Sequence, residues 1–144
     1  MRGERGSGLI EVTWLGILLL VPLVWIVLTA FDAQRAAFGV TAAARAAARA
    51  YALAPDDDAG RARATDAARA ALDDQGLDDA PLTVTVACGH LADCHVADAV
   101  VTVSVGSRVA LPLLPSFFGG GHAHGLAVDA DETVPIGHFQ DGHG

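Results

Sequence analysis

Glu11-Val12-Thr13-Trp14-Leu15-Gly16-Ile17-Leu18-Leu19-Leu20-Val21-Pro22-Leu23-Val24-Trp25-Ile26-Val27-Leu28-Thr29-Ala30-Phe31 is a carboxylate followed by 20 residues without a charge. At about 1.5 Å per residue those 20 positions make a helix about 30 Å long, the thickness of a bilayer's hydrocarbon layer. A secretory signal has a shorter apolar core, about 7 to 15 residues, ending at a small-x-small cleavage site. Here the apolar run carries Trp14 and Trp25 and continues into Asp32-Ala33-Gln34-Arg35 with no such site, so a retained anchor is expected. Glu11 stands at its mouth. An ionisable group there is costly and requires an interface, a partner or a task.

Downstream of the span, residues 32–54 are dominated by alanine, with Arg35, Arg45 and Arg49 and no proline. Alanine and arginine are strong helix formers, which predicts one continuous rod from about Leu9 to Ala54. Pro22 is a point for a bend and Gly39 a second weak point, because proline removes a backbone donor and glycine frees the chain. The small side chains allow close helix approach, and packing against sister subunits is one expectation for this stretch. Pro55 ends the rod. Asp56, Asp57 and Asp58 then form an acidic start for a second helix, from about Ala59 to Asp74, with Gly76 as terminator and Leu77 as the apolar contact behind it.

At Leu82 the period changes to two. Leu82, Val84, Val86 and Cys88 alternate with Thr83, Thr85 and Ala87, and Ala99, Val101, Val103 and Val105 share one face of a second strand from Ala97 to Val105. Gly106 reads as a loop before a short strand at Arg108 to Leu111, and a last strand runs from about Leu126 to Thr133. The prediction is an α+β chain: a transmembrane helix continuing outward, a second helix, then a small, mainly antiparallel sheet. Leu113, Leu114, Phe117 and Phe118 form an apolar excursion expected to pack over that sheet or, if exposed, to meet a membrane or partner, and residues 136–144 read as a flexible tail.

The chemistry-bearing residues are few. Cys88 and Cys94 enclose five residues between two strands, and a disulfide there braces the connection by about 2 kcal/mol. Zinc held by Cys88, His90, Cys94 and His95 is the competing reading, weakened because neighbours Cys94 and His95 point apart on a strand. No Cys-x-x-Cys spacing suggests redox catalysis. His122, His124, His138 and His143 read as surface polarity. Ser7, Ser104, Ser107 and Ser116 lie in no nucleophile motif, and Gly119 to Gly121 lack the lysine of a phosphate loop, so neither an enzyme nor a cofactor or metal is expected. The formal net charge of -8 argues against a nucleic-acid surface. Counting basic residues around the span leaves its orientation ambiguous, whereas two cysteines favour placing the downstream domain outside the cytoplasm.

Arg5-Gly6-Ser7-Gly8-Leu9-Ile10-Glu11, followed by the apolar helix, resembles the N-terminus of type IV pilins and pseudopilins. With the Ala-rich helix behind it, it is most similar to the TadE-like family of tight-adherence pilus assembly proteins. The resemblance implies cleavage by a prepilin peptidase on the cytoplasmic side between Gly6 and Ser7, which leaves Glu11 as the fifth residue. It implies that Glu11 pairs with the new amine of Ser7 or of a neighbouring subunit, offsetting burial of both charges. Expected partners are the peptidase, other pilin or pseudopilin subunits, a membrane assembly platform and the lipid bilayer. Residues 1–6 would then be a leader, 7–54 the helix, 55–135 the outer domain and 136–144 the tail. Because the principal low-mass subunits of that pathway lack so large a domain, a minor pseudopilin or assembly factor is the expected role. The alternative is a permanently anchored envelope or binding protein that is never processed.

Overall fold

The computed structural model describes residues 7–91, 93–96, 98–110 and 125–137. Helix α1 runs unbroken over Ser7–Ala52, 46 residues with Pro22 inside it, about 69 Å at the ordinary rise. Its two halves differ completely. From Ile10 to Phe31 almost every side chain is exposed, whereas beyond Asp32 one face disappears into a core: Ala36, Val40, Ala43, Ala44, Ala47, Ala48 and Tyr51. One helix is thus long and apolar enough to cross a membrane, and its far half is the spine of a small domain.

Helix α2, Asp57–Asp73, folds back along that spine. Asp56 caps it, its carboxylate accepting from the Ala59 N–H at 2.8 Å, which satisfies one of the donors that a helix start leaves free. Gly60, Ala64, Ala68 and Leu72 are its buried residues, spaced four apart. Three of the four are small, so α2 lies close against the alanine face of α1, and Leu72 supplies the bulk at the end. The terminator behaves as its residues require. Gly76 takes φ 69°, the Gly76 N–H donates to the Asp73 carbonyl and the Leu77 N–H reaches the Leu72 carbonyl at 3.0 Å, the closed pairing of a left-handed helix end. Leu77 folds back as expected and packs on the core.

Three strands complete the domain: β1 (Leu82–Ala87), β2 (Val100–Ala110) and β3 (Gly125–Pro135), antiparallel in the order β1-β2-β3. The register aligns Val84 with Val105 and Val105 with Ala130, so alternate residues of all three strands share one face. That face, carrying Val101, Val103 and Val105 fully buried, covers the helices. The other is polar, and Thr102 and Thr133 exchange a hydrogen bond across it at 3.1 Å.

Four expectations need correction. Gly106 does not break the second strand, which continues through Ala110; lying between Thr83 and Asp129 in the register, it keeps backbone partners on both sides. Gly39 is no weak point, being buried where α2 ends: a Cβ built there would sit 2.9 Å from Leu77 Cδ1 and 3.5 Å from Gln75 Cβ. The alanine face assigned to sister subunits is covered by the chain's own α2 and sheet. What remains exposed on this half of α1 is Gln34, Arg35, Ala37, Phe38, Ala42, Arg45 and Arg49, with Leu53 just past the helix end. The flexible tail does not begin at residue 136: Ile136 is buried in the core, and its N–H donates to the Ala99 carbonyl at 2.8 Å. The apolar excursion at Leu113 to Phe118, the histidines at 122, 124, 138 and 143, and the rest of the expected tail from residue 138 lie outside the described residues.

Candidate functional site: the bare helix and the knot that anchors it

Glu11 lies on the bare half of α1, exposed among Ile10, Val12 and Trp14, and has no ion-pair partner among the described residues. The carboxylate is therefore open to another chain or to the membrane interface. Gly6 lies outside the described residues; Ser7 is the first residue of α1. Within the span, the Thr29 hydroxyl donates to the Trp25 carbonyl at 2.9 Å, so this polar group is satisfied inside its own helix.

At the other end of α1 the chain ties itself together. Tyr51 has no exposed surface, and its hydroxyl donates to Asp57 Oδ1 across the turn between the helices. His95 enters from the β1–β2 connection. Its side chain is 5% exposed, with Nδ1 3.4 Å from Asp57 Oδ1 and Nε2 3.1 Å from the Ala54 carbonyl oxygen. The Tyr51 and His95 rings meet at 4.8 Å between centroids. Arg61, one turn into α2, lies 3.5 Å from the other oxygen of Asp57. Gly60 makes the approach feasible, since a Cβ at that position would lie 2.8 Å from Tyr51 Cδ2 and 3.1 Å from His95 Cε1. Three separate segments thus converge on one carboxylate.

The electrostatics follow from this geometry. Burial, reinforced by the hydrogen bond to Asp57, pushes the Tyr51 phenol well above its ordinary value. The hydrogen bond from Tyr51, helped by His95 and Arg61, holds Asp57 below the usual carboxylate value against the opposing effect of burial. Tyr51 therefore remains a neutral donor and Asp57 an ionised acceptor at neutral pH. Nothing in this set is arranged for turnover: Tyr51 is inaccessible, His95 nearly so, and both ring nitrogens are engaged.

Cys88 and Cys94 are joined as a disulfide, with Cα atoms 5.4 Å apart. The bridge closes the segment immediately before His95, and the Asp93 carboxylate accepts from the His95 N–H at 2.8 Å, so the imidazole is delivered from a fixed support. The sulfurs are engaged with each other, which removes the zinc arrangement with His90, and no cluster of three or more metal-ligating side chains occurs among the described residues. Ser107, one of the serines weighed as a nucleophile, is buried, and its hydroxyl has no hydrogen-bond partner among the described residues.

Sequence reasoning found the cysteine pair but missed Tyr51, Asp57 and His95 as a unit. One signal existed. A glycine in the first turns of an otherwise alanine-rich helix, as Gly60 is, marks close approach by another group. Compared with models of known protein families, with curated proteins and with solved structures, the chain matches none of them.

Proposed function

We propose that the chain is a minor pseudopilin-like or assembly subunit of a tight-adherence type IV-like pilus, cut between Gly6 and Ser7 and assembling through α1. The observation that carries this reading is the division of α1: one continuous helix, bare and apolar for its first half, is the core element of an α+β domain in its second. A protein needing only an anchor can join it to its domain by a flexible linker. Here the rod transmits position from the bilayer to the domain, as a subunit fixed in register by its N-terminal helix requires. Glu11, exposed near the start of that helix, is the register group: paired with a freed Ser7 amine, it would be taken out of water only when subunits come together. The disulfide supports an outward-facing domain, because such bonds persist in oxidising compartments. The expected partners are a prepilin peptidase, other pilin or pseudopilin subunits, the assembly platform and the bilayer.

N-terminal sequencing and intact mass of the membrane-held chain test the proposal. A chain beginning at Ser7 in cells with an active prepilin peptidase, and at Met1 in cells without it, supports it. Retention of residues 1–6 in both refutes it and favours a permanently anchored envelope protein.

A further inference from the structure

The outer half of α1 and the end of α2 are electrically opposite, and among the described residues only Arg45 of the three arginines on that half has an ion-pair partner. Arg35, Phe38, Ala42, Arg45 and Arg49 on α1, and Leu53 just past its end, recur at three- and four-residue intervals, all exposed, with no carboxylate between residues 35 and 53. Phe38 and Leu53 are 71% and 72% exposed, large apolar groups left in water within a basic stripe. Arg45 has a carboxylate nearby, Glu132 at 3.8 Å, yet its side chain remains 70% exposed.

At the end of α2 the imbalance is reversed. Asp73, Asp74, Asp78 and Asp79 are all exposed, and the last turn of α2 carries no basic residue. Asp78 and Asp79 suit a turn, but Asp73 and Asp74 stand at the carbonyl end of a helix, where the dipole is negative and a carboxylate is unfavourable. The nearby Arg69 is engaged with the carbonyls of Asp78 and Ala80. Four carboxylates therefore repel one another and their own helix, an arrangement that a cationic partner would relieve.

We infer that this acidic turn receives the arginine stripe of a second copy of the chain. The inference rests on α1 being an assembly helix, and the heights agree. Leu77 and Gln75 lie against Gly39, which fixes the acidic turn beside that level of its own α1. Copies held by the same span sit at the same depth, so a neighbour brings Arg35 about 6 Å below that level and Arg45 about 9 Å above it. Phe38 falls between them, a large exposed apolar group that such a contact would take out of water. Stripe and turn are different patches, so the contact is head-to-tail and each copy can accept another.

The test uses the full chain in membranes, with Ala42→Cys on the stripe, Ala70→Cys one turn before Asp74, and a short bifunctional thiol reagent; the native cysteines are occupied by each other. A ladder of dimers, trimers and larger species is expected. The ladder is lost on reversing the stripe (Arg35→Asp, Arg45→Asp, Arg49→Asp) or the turn (Asp73→Arg, Asp74→Arg, Asp78→Arg, Asp79→Arg). Co-expressing a stripe-reversed chain carrying Ala42→Cys with a turn-reversed chain carrying Ala70→Cys restores crosslinking that stops at the dimer, which separates lost contact from lost folding. No ladder, a ladder indifferent to reversal, or equal dimer yield from Ala42→Cys alone overturns the inference. Neither patch includes Ser7, so a charge-sensitive ladder from chains that retain residues 1–6 upholds this contact while refuting the pilin reading.

Discussion

Replacing Gly60 with alanine sets two opposed effects against each other at the point where the helices meet the disulfide loop. Alanine is favoured over glycine in a helix interior by about 1 kcal/mol, so on an open helix face the change stabilises. At Gly60 the added methyl lies 2.8 and 2.9 Å from two ring carbons of Tyr51 and 3.1 Å from His95 Cε1. Neither ring can give way easily, because Tyr51 is fully buried and bonded to Asp57 while both nitrogens of His95 are engaged. Overpacking of this kind costs about 1–3 kcal/mol, and displacement of Tyr51 adds the loss of a buried hydrogen bond to a charged group, about 1.5–3 kcal/mol. With the alanine gain set against both costs, the net expectation is a loss of about 1.5–5 kcal/mol. With a urea slope of about 2 kcal/mol per molar, that lowers the unfolding midpoint by about 0.8–2.5 M. Limited proteolysis of the micelle-held chain across a urea series reads the midpoint of the outer domain alone. Gly39→Ala is the control, since its closest contact is Cδ1 of Leu77, the free end of a flexible side chain, and it should shift the midpoint by less than half as much. A Gly60→Ala chain as stable as the parent would refute the account of the knot.

Four further outcomes are expected. Reducing the Cys88–Cys94 bridge, or replacing both residues with alanine, should cost about 2 kcal/mol through loop entropy and expose the connection to protease, measured as the same urea midpoint with and without reductant. Leu72→Ala removes the only large side chain buried on α2 and should cost about 2–5 kcal/mol by the same assay. The pH dependence has two arms. Asp57, lowered in the folded state, contributes stability that is present above pH 3.8 and lost as pH falls through its folded value, whereas Tyr51, raised, contributes stability present below pH 10 and lost as pH rises beyond it. Asp57→Asn should flatten the acid arm and Tyr51→Phe the alkaline one in unfolding measured against pH. Finally, Glu11→Gln should insert into membranes as the parent does but fail to enter a pilus complex, read by co-isolation; normal incorporation would contradict its role as a register group.

Much of the fold was legible because local chemistry and tertiary packing agree in it. The acidic triplet before α2 supplied its cap at Asp56, Gly76 and Leu77 supplied its end, and the alternation through Val101, Val103 and Val105 marked the covered face of the central strand. Where the reading failed, a residue's local preference was outweighed by neighbours distant in sequence. Gly106 looks like a break until two flanking strands pair with it, and the alanines of α1 look available to other subunits until α2 covers them. The knot was hidden for the same reason. Tyr51 and His95 are 44 positions apart, and no spacing rule connects an aromatic at a helix end to an imidazole behind a disulfide. Glu11 is the converse case: its oddity is wholly local, a single charge before 20 apolar residues, and so it was plain from the sequence.

The continuity of α1 also makes it a lever. From Phe31, where the apolar run ends, to Ala52, where the helix ends inside the domain, the rod extends about 31 Å. A tilt of about 20°, ordinary for a single span, carries the far end sideways by about 11 Å. Because α2, the sheet and the disulfide loop are bound to that end, the domain travels with it as one load. A change in bilayer thickness, or a neighbour pressing on the span, would thus be read out above the membrane as displacement about as large as the diameter of a helix.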